Sequence, residues 1–171
     1  AQQDFADVAN VSFVEQAGGN REGHLIYRAY NTGDQASSVT GFADTADGPG
    51  MLWLRNLDQT TKFGNWADDD KRMIGEDHWR SSMIHELGHG LGLEHPHSET
   101  NETIKLPFYE EDWKHYTVMS YNRQRLNDKG DSLEPASLMM DDIEAIQSKY
   151  GANYATRNDD TTYGFNSNTD R

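Results

Sequence analysis

Residues 85–95 read HELGHGLGLEH, and both the residue types and their spacing are those a metal ion requires. On a helix of about 3.6 residues per turn, His85 and His89 stand one turn apart on the same face, so two imidazoles converge on one point. Glu86 is their neighbour, placed to take a proton from a metal-activated water rather than to ligate. The third ligand must return from outside the helix. Gly92 tolerates the left-handed backbone that ends helices. His95 then closes the set, and Pro96 discourages further helix. Three neutral imidazoles leave one tetrahedral position for water, whose pKa falls to ~7 on zinc, so the pattern is that of a catalytic rather than a structural site. A bare H-E-x-x-H arises by chance in surface helices; the full set of fixed positions across 85–95 is far more specific.

These side chains need a scaffold. Met83, Ile84, Leu87 and Leu91 form the apolar stripe expected to dock the metal helix on a core, with His85 and His89 facing a cleft beside it. His78 would sit ~10 Å along the axis from His85 and is expected at the surface or as a cap. His97 and His115 have no partner at metal spacing, and solvent exposure is expected for both. Upstream, Val11, Phe13 and Val14 suggest a strand entering a turn at Gly18 and Gly19. Residues 25–30 read as a second strand and 41–46 as a short third. Asp47, Gly48, Pro49 and Gly50 form a turn, and the apolar run 51–55 is a fourth strand buried on both faces. Residues 61–77 have no period and read as loop, with a helical turn over 69–73. A final helix is expected over 141–150, with Asp141 as N-cap, Glu144 completing a capping box, Ile143, Ile146 and Tyr150 buried, and Gly151 ending it.

The chain has 171 residues, enough for one domain burying roughly 70% of its unfolded surface. It has no cysteine, which excludes disulfides and thiol catalysis. No apolar run approaches the ~20 residues of a membrane span. The net charge of −14, from 15 basic and 29 acidic residues, argues against nucleic acid as a partner. Acidic surface suits cations better, although negative charge also serves solubility alone, and Asp68, Asp69 and Asp70 read as a solvated acidic turn.

H-E-x-x-H-x-x-G-x-x-H is the signature of metzincins, which place a methionine-containing turn beneath the metal. Thr117, Val118, Met119, Ser120 and Tyr121 follow at a suitable distance, and Met-Ser-Tyr resembles the serralysin version. That resemblance implies Met119 as a platform under zinc and Tyr121 as a second catalytic residue reaching the metal. Residues 138–147 and 150–153 resemble the last helix of the serralysin catalytic domain and its exit, and 163–169 the lead into a calcium-binding repeat domain. The loop 97–116 departs from the family in its charge (Glu99, Glu102, Glu110, Glu111, Asp112), so cleft-edge specificity does not carry over. Residues 1–8 resemble the end of the family's first long helix, so the first strand and most of that helix are expected to be missing. Repeats of the G-G-x-G-x-D type are absent.

The resemblance implies an α+β, metzincin-like fold: a small twisted mixed sheet packed on the active-site helix, with a C-terminal helix below the cleft. It divides the chain into a catalytic domain, 1–153, and a tail, 154–171. It implies a secreted zinc endopeptidase with one catalytic zinc, His85, His89 and His95 as ligands and Glu86 as base. Protein or peptide substrates would pair in extended form with an edge strand at 41–46, and a proteinaceous inhibitor is a further implied partner. Calcium would be met by backbone and hydroxyl oxygens of Arg157, Asp159 and Thr161, although the family tends to have glycine where Asp159 stands. We expect a monomer. Two rivals stay open: a non-catalytic module that keeps its zinc, against which the intact Glu86 speaks, and an incomplete fragment of a larger secreted protease.

Overall fold

The computed structural model describes residues 1–15, 25–30, 41–44, 50–55, 75–98, 106–123, 134–162 and 165–168. Among them the order is α1 (Gln2–Val8), β1 (Leu25–Tyr30), β2 (Gly41–Asp44), β3 (Gly50–Arg55), α2 (Gly75–Gly90), β4 (His97–Ser98), β5 (Leu106–Pro107) and α3 (Met140–Tyr150). The turn expected at Gly18 and Gly19, residues 47–49 of the next, the acidic turn 68–70 and the helical turn over 69–73 lie outside the described residues.

The sheet is small and mixed. Its order is β1-β3-β2, with β3 parallel to β1 and antiparallel to β2. Within this sheet β2 is an edge, and α2 lies against both β2 and β3. The strand expected around Val11 to Val14 belongs to no ladder. Its alternation is present, with Val11 and Phe13 packed toward the core and Ser12 and Val14 exposed. The Val11 N–H, however, bonds back to Ala9 O at 2.8 Å instead of to a neighbouring strand.

Ile84 and Leu87 of α2 are fully buried, in one core with Phe5, Ala9, Leu93, Val118, Met119, Leu138 and Ile146. Met83, expected in this stripe, is instead 37% exposed, because a stripe one residue wider than the contact surface leaves its flank to solvent. Helix α1 is fastened to α2 by an ion pair between the buried Asp4 and the part-exposed Arg80: Arg80 Nη2 donates to Asp4 Oδ1 and Oδ2 at 2.8 and 3.0 Å.

Helix α3 begins two residues earlier than a cap at Asp141 would allow. Its N-cap is Met139, and Asp142, at the third helical position, accepts the Met139 N–H at 2.8 Å. Asp141 falls inside the first turn, where an anion complements the helix dipole. Ile146 is buried and Gly151 ends the helix at φ 80°. Tyr150 is not part of the buried face; it is 41% exposed and donates its hydroxyl to Leu91 O at 3.0 Å. Past α3 the chain returns to α1. Ala152 bridges Ala9, Asn153 N–H bonds Val8 O, and Asn153 Nδ2 bonds Ala6 O.

Candidate metal centre

Helix α2 stops where the third histidine has to turn back. Gly92 takes φ 86°, its N–H bonds His89 O at 2.8 Å, and the Leu93 N–H bonds Gly88 O at 2.9 Å. These two bonds close the last turn in the Schellman pattern, satisfying carbonyls the helix leaves open. Leu93 is then buried, which fixes the direction of the chain into His95.

The three histidines expected as ligands come together. His85 Nε2 and His89 Nε2 each lie 3.0 Å from His95 Nε2. The outer nitrogens face backbone: His85 Nδ1 is 2.9 Å from Val118 O and His89 Nδ1 is 2.9 Å from Leu93 O. A carbonyl can only accept, so both Nδ1 atoms carry the proton and both Nε2 atoms present lone pairs. His95 Nε2 has at most one proton to share between them. Three converging ring nitrogens of this kind are satisfied by a cation, and tetrahedral bonds of 2.0–2.1 Å to zinc would set the nitrogens ~3.3 Å apart. The residues fit the metal.

Burial favours the neutral rings that ligation needs. His85 is pushed down to about 3, chiefly by desolvation and against the opposing Val118 carbonyl. His89 is lowered too, again mainly by burial. Glu86 is 7% exposed beside them. The Tyr121 ring stacks on His85 at 5.5 Å between centroids and tilts against His95 at 4.4 Å. Its phenol is raised by partial burial first and by the negative Glu86 second, which places it in the field of that carboxylate.

Met119 is buried under the metal helix. A side chain at Gly88 would place its Cβ 2.7 Å from Met119 Sδ, so that glycine is a close approach between helix and turn. The turn itself is held by Asp142, a buried carboxylate that accepts from Thr117 Oγ1 at 2.6 Å and from the Val118 N–H at 2.9 Å. Val118 thus bonds Asp142 through its N–H and His85 through its carbonyl. Sequence reasoning missed Asp142 because its position beside Asp141 reads as helix capping alone.

His97, expected in solvent, is buried with 2% exposure. It follows Pro96 into β4, and its ring lies flat on His95, 5° between planes. Spacing carried no sign of this because Asp112, its charged neighbour, lies across a loop in a run of acids. His115 is exposed as expected. Of the residues considered for calcium, Arg157 Nη2 bonds Asp7 Oδ2, Asp159 is exposed, and the Thr161 hydroxyl donates to Asp159 O. His78 lies on α2.

No protein-family model matches the chain. Known proteins do. Metalloprotease AprA of Pseudomonas entomophila (strain L48) is 36% identical over 187 residues, covering 100% of this chain and 36% of the relative. Serralysin A of Dickeya chrysanthemi is 38% identical over 186 residues, covering 100% of this chain and 35% of that protein. Serralysin of Photorhabdus luminescens is 35% identical over 182 residues, with 99% and 35% covered. The chain spans about a third of the length of these relatives. From end to end, then, it is homologous to one stretch of the serralysin and AprA metalloproteases.

Proposed function

We propose that the chain is the catalytic part of a zinc-dependent endopeptidase with a metzincin fold. The observation that carries this is the convergence of three Nε2 lone pairs, with the Nδ1 protons of His85 and His89 turned outward to backbone carbonyls. Zinc, when bound, supplies a Lewis acid and lowers the pKa of a water to ~7. His85, His89 and His95 would hold it. Glu86 takes the proton of the attacking water and passes it to the leaving amine, so no covalent intermediate is needed. Tyr121 donates its hydroxyl to the oxyanion that develops on the scissile carbonyl, a contribution of ~3 kcal/mol for donors of this kind. Met119 is the floor of the site.

Strand β2, an edge of the described sheet beside α2, is where an extended substrate would add a strand. Backbone pairing binds a peptide without reading its side chains, which makes the specificity broad. Secretion, protein substrates, a proteinaceous inhibitor and a calcium ion at the tail are what the serralysin resemblance of the sequence implies, and they belong to the same proposal. No helix among the described residues is long and apolar enough to cross a membrane.

Hydrolysis of casein by the purified chain, with and without chelator, tests the reading. Chelation should abolish activity and one equivalent of zinc restore it. Active protein without zinc would overturn it. Zinc bound without hydrolysis would make the chain a binding module, and a chain with no stable fold would make it a dependent fragment.

A further inference from the structure

His97 and Asp112 lie behind the metal site, and their burial is costly. The side chains are 0% exposed, with His97 Nδ1 3.4 Å from Asp112 Oδ2, close but outside hydrogen-bond geometry. Both ring nitrogens of His97, and Asp112 Oδ1, are buried without a hydrogen bond. An apolar pair of similar volume would fill this space at lower cost, since buried polar atoms without hydrogen bonds forfeit their hydration with no return. Buried polar groups left in this condition call for a role other than stability.

Their neighbours indicate the role. The His97 ring covers His95, the one ligand that does not come from α2, with centroids 5.2 Å apart. It also meets the Tyr121 ring, with centroids 5.0 Å apart. Asp112 is tied to the residue after that tyrosine: Asn122 Nδ2 donates to Asp112 Oδ2 at 2.9 Å and to Asp112 O at 3.0 Å. The Lys114 N–H returns to Asn122 O at 2.9 Å. The main chain of His97 is already fixed by pairing with Pro107. What remains free is the ring, and Asp112 is the charged group beside it. We propose that His97 and Asp112 are positioning residues that hold the third ligand and Tyr121 in register with one another. The inference rests on the zinc reading above.

Zinc affinity, read by competition with a chromogenic chelator, is the direct test. Asp112→Asn keeps the shape and removes the charge. We expect zinc to bind ~10-fold more weakly, at the lower end of what supporting residues behind metal ligands contribute. The melting temperature of the metal-free chain should stay near that of wild type. His97→Phe/Asp112→Leu guards against a variant that fails to fold, because it replaces the pair with apolar groups. It too should lose ~10-fold in zinc affinity, and not the product of two separate losses, because the pair acts as one unit. At saturating zinc, kcat should fall in both variants with KM unchanged, since Tyr121 is displaced as well.

Zinc affinity within ~2-fold of wild type in both variants would overturn the proposal, being no larger than the scatter between independent sites. So would losses that only track a fall in metal-free melting temperature. If the unaltered chain binds no zinc, the reading of the metal centre fails and this inference falls with it, an outcome separate from intact zinc binding in both variants.

Discussion

Glu86, next to His85 in the sequence, and Tyr121, whose ring contacts His85 and His95, should fail differently when altered if both act as proposed. Glu86→Gln keeps the shape and removes the base, so zinc should stay bound while turnover of a fluorogenic peptide drops to near background. Tyr121→Phe removes one hydroxyl; kcat should fall ~10²-fold with KM little changed, the mark of an interaction made only in the transition state. An unchanged kcat would take Tyr121 out of the site. The buried imidazoles also set an acid limit. His85 ionises near 3 in the folded chain against 6.5 in the unfolded one, and His89 is displaced in the same direction. Below 6.5 the unfolded chain therefore binds more protons than the folded one, and stability falls with pH. Thermal melts of the metal-free chain should be level above pH 7 and decline progressively from about 6.5 toward 3 as the unfolded histidines protonate.

The ends of two helices control the site. Gly92→Ala would hold a Cβ at φ 86°, with Lys149 Nζ 3.3 Å from it, and should cost about 1 kcal/mol while moving the turn that delivers His95. Melting temperature and zinc affinity should fall together. Asp142→Ala leaves the Met139 and Val118 N–H groups and the Thr117 hydroxyl without their acceptor. Loss of a buried charged acceptor serving three donors should cost about 3 kcal/mol or more, readable in urea unfolding. How much of this was legible follows from how local each signal is. The three histidines, Gly92, Met119 and strand β1 lie within short patterns of fixed period, and the sequence contains those whole. His97, Asp112 and Asp142 act across loops, from 15 residues between His97 and Asp112 to 25 between Thr117 and Asp142. Their isolated letters carry only composition, which points to solvent. The strand read at Val11 to Val14 fails for the converse reason: alternation records which residues face the core, not whether a neighbouring strand is there to pair.

At the scale of the whole molecule, a net charge of −14 favours cations at the surface without building a site for one. Arg157 is joined to Asp7, and the Thr161 hydroxyl is engaged with Asp159 O. Calcium at a concentration equal to its Kd would then add only about 0.4 kcal/mol, and a melting curve should shift by little. A large calcium-dependent rise would show a complete site in this chain. The bonds that join the two ends of the chain have a further consequence, for its biosynthesis. Gln147 Nε2 reaches Val8 O and Asn153 Nδ2 reaches Ala6 O across sequence separations of 139 and 147 residues. At 5–20 residues per second, α1 leaves the ribosome about 7 to 30 s before those partners exist. Throughout that interval Phe5, fully buried in the finished protein, lacks the packing of Ile146, and the carbonyls of Ala6 and Val8 are served by water. Synthesis of α3 and its exit is thus the event that completes α1.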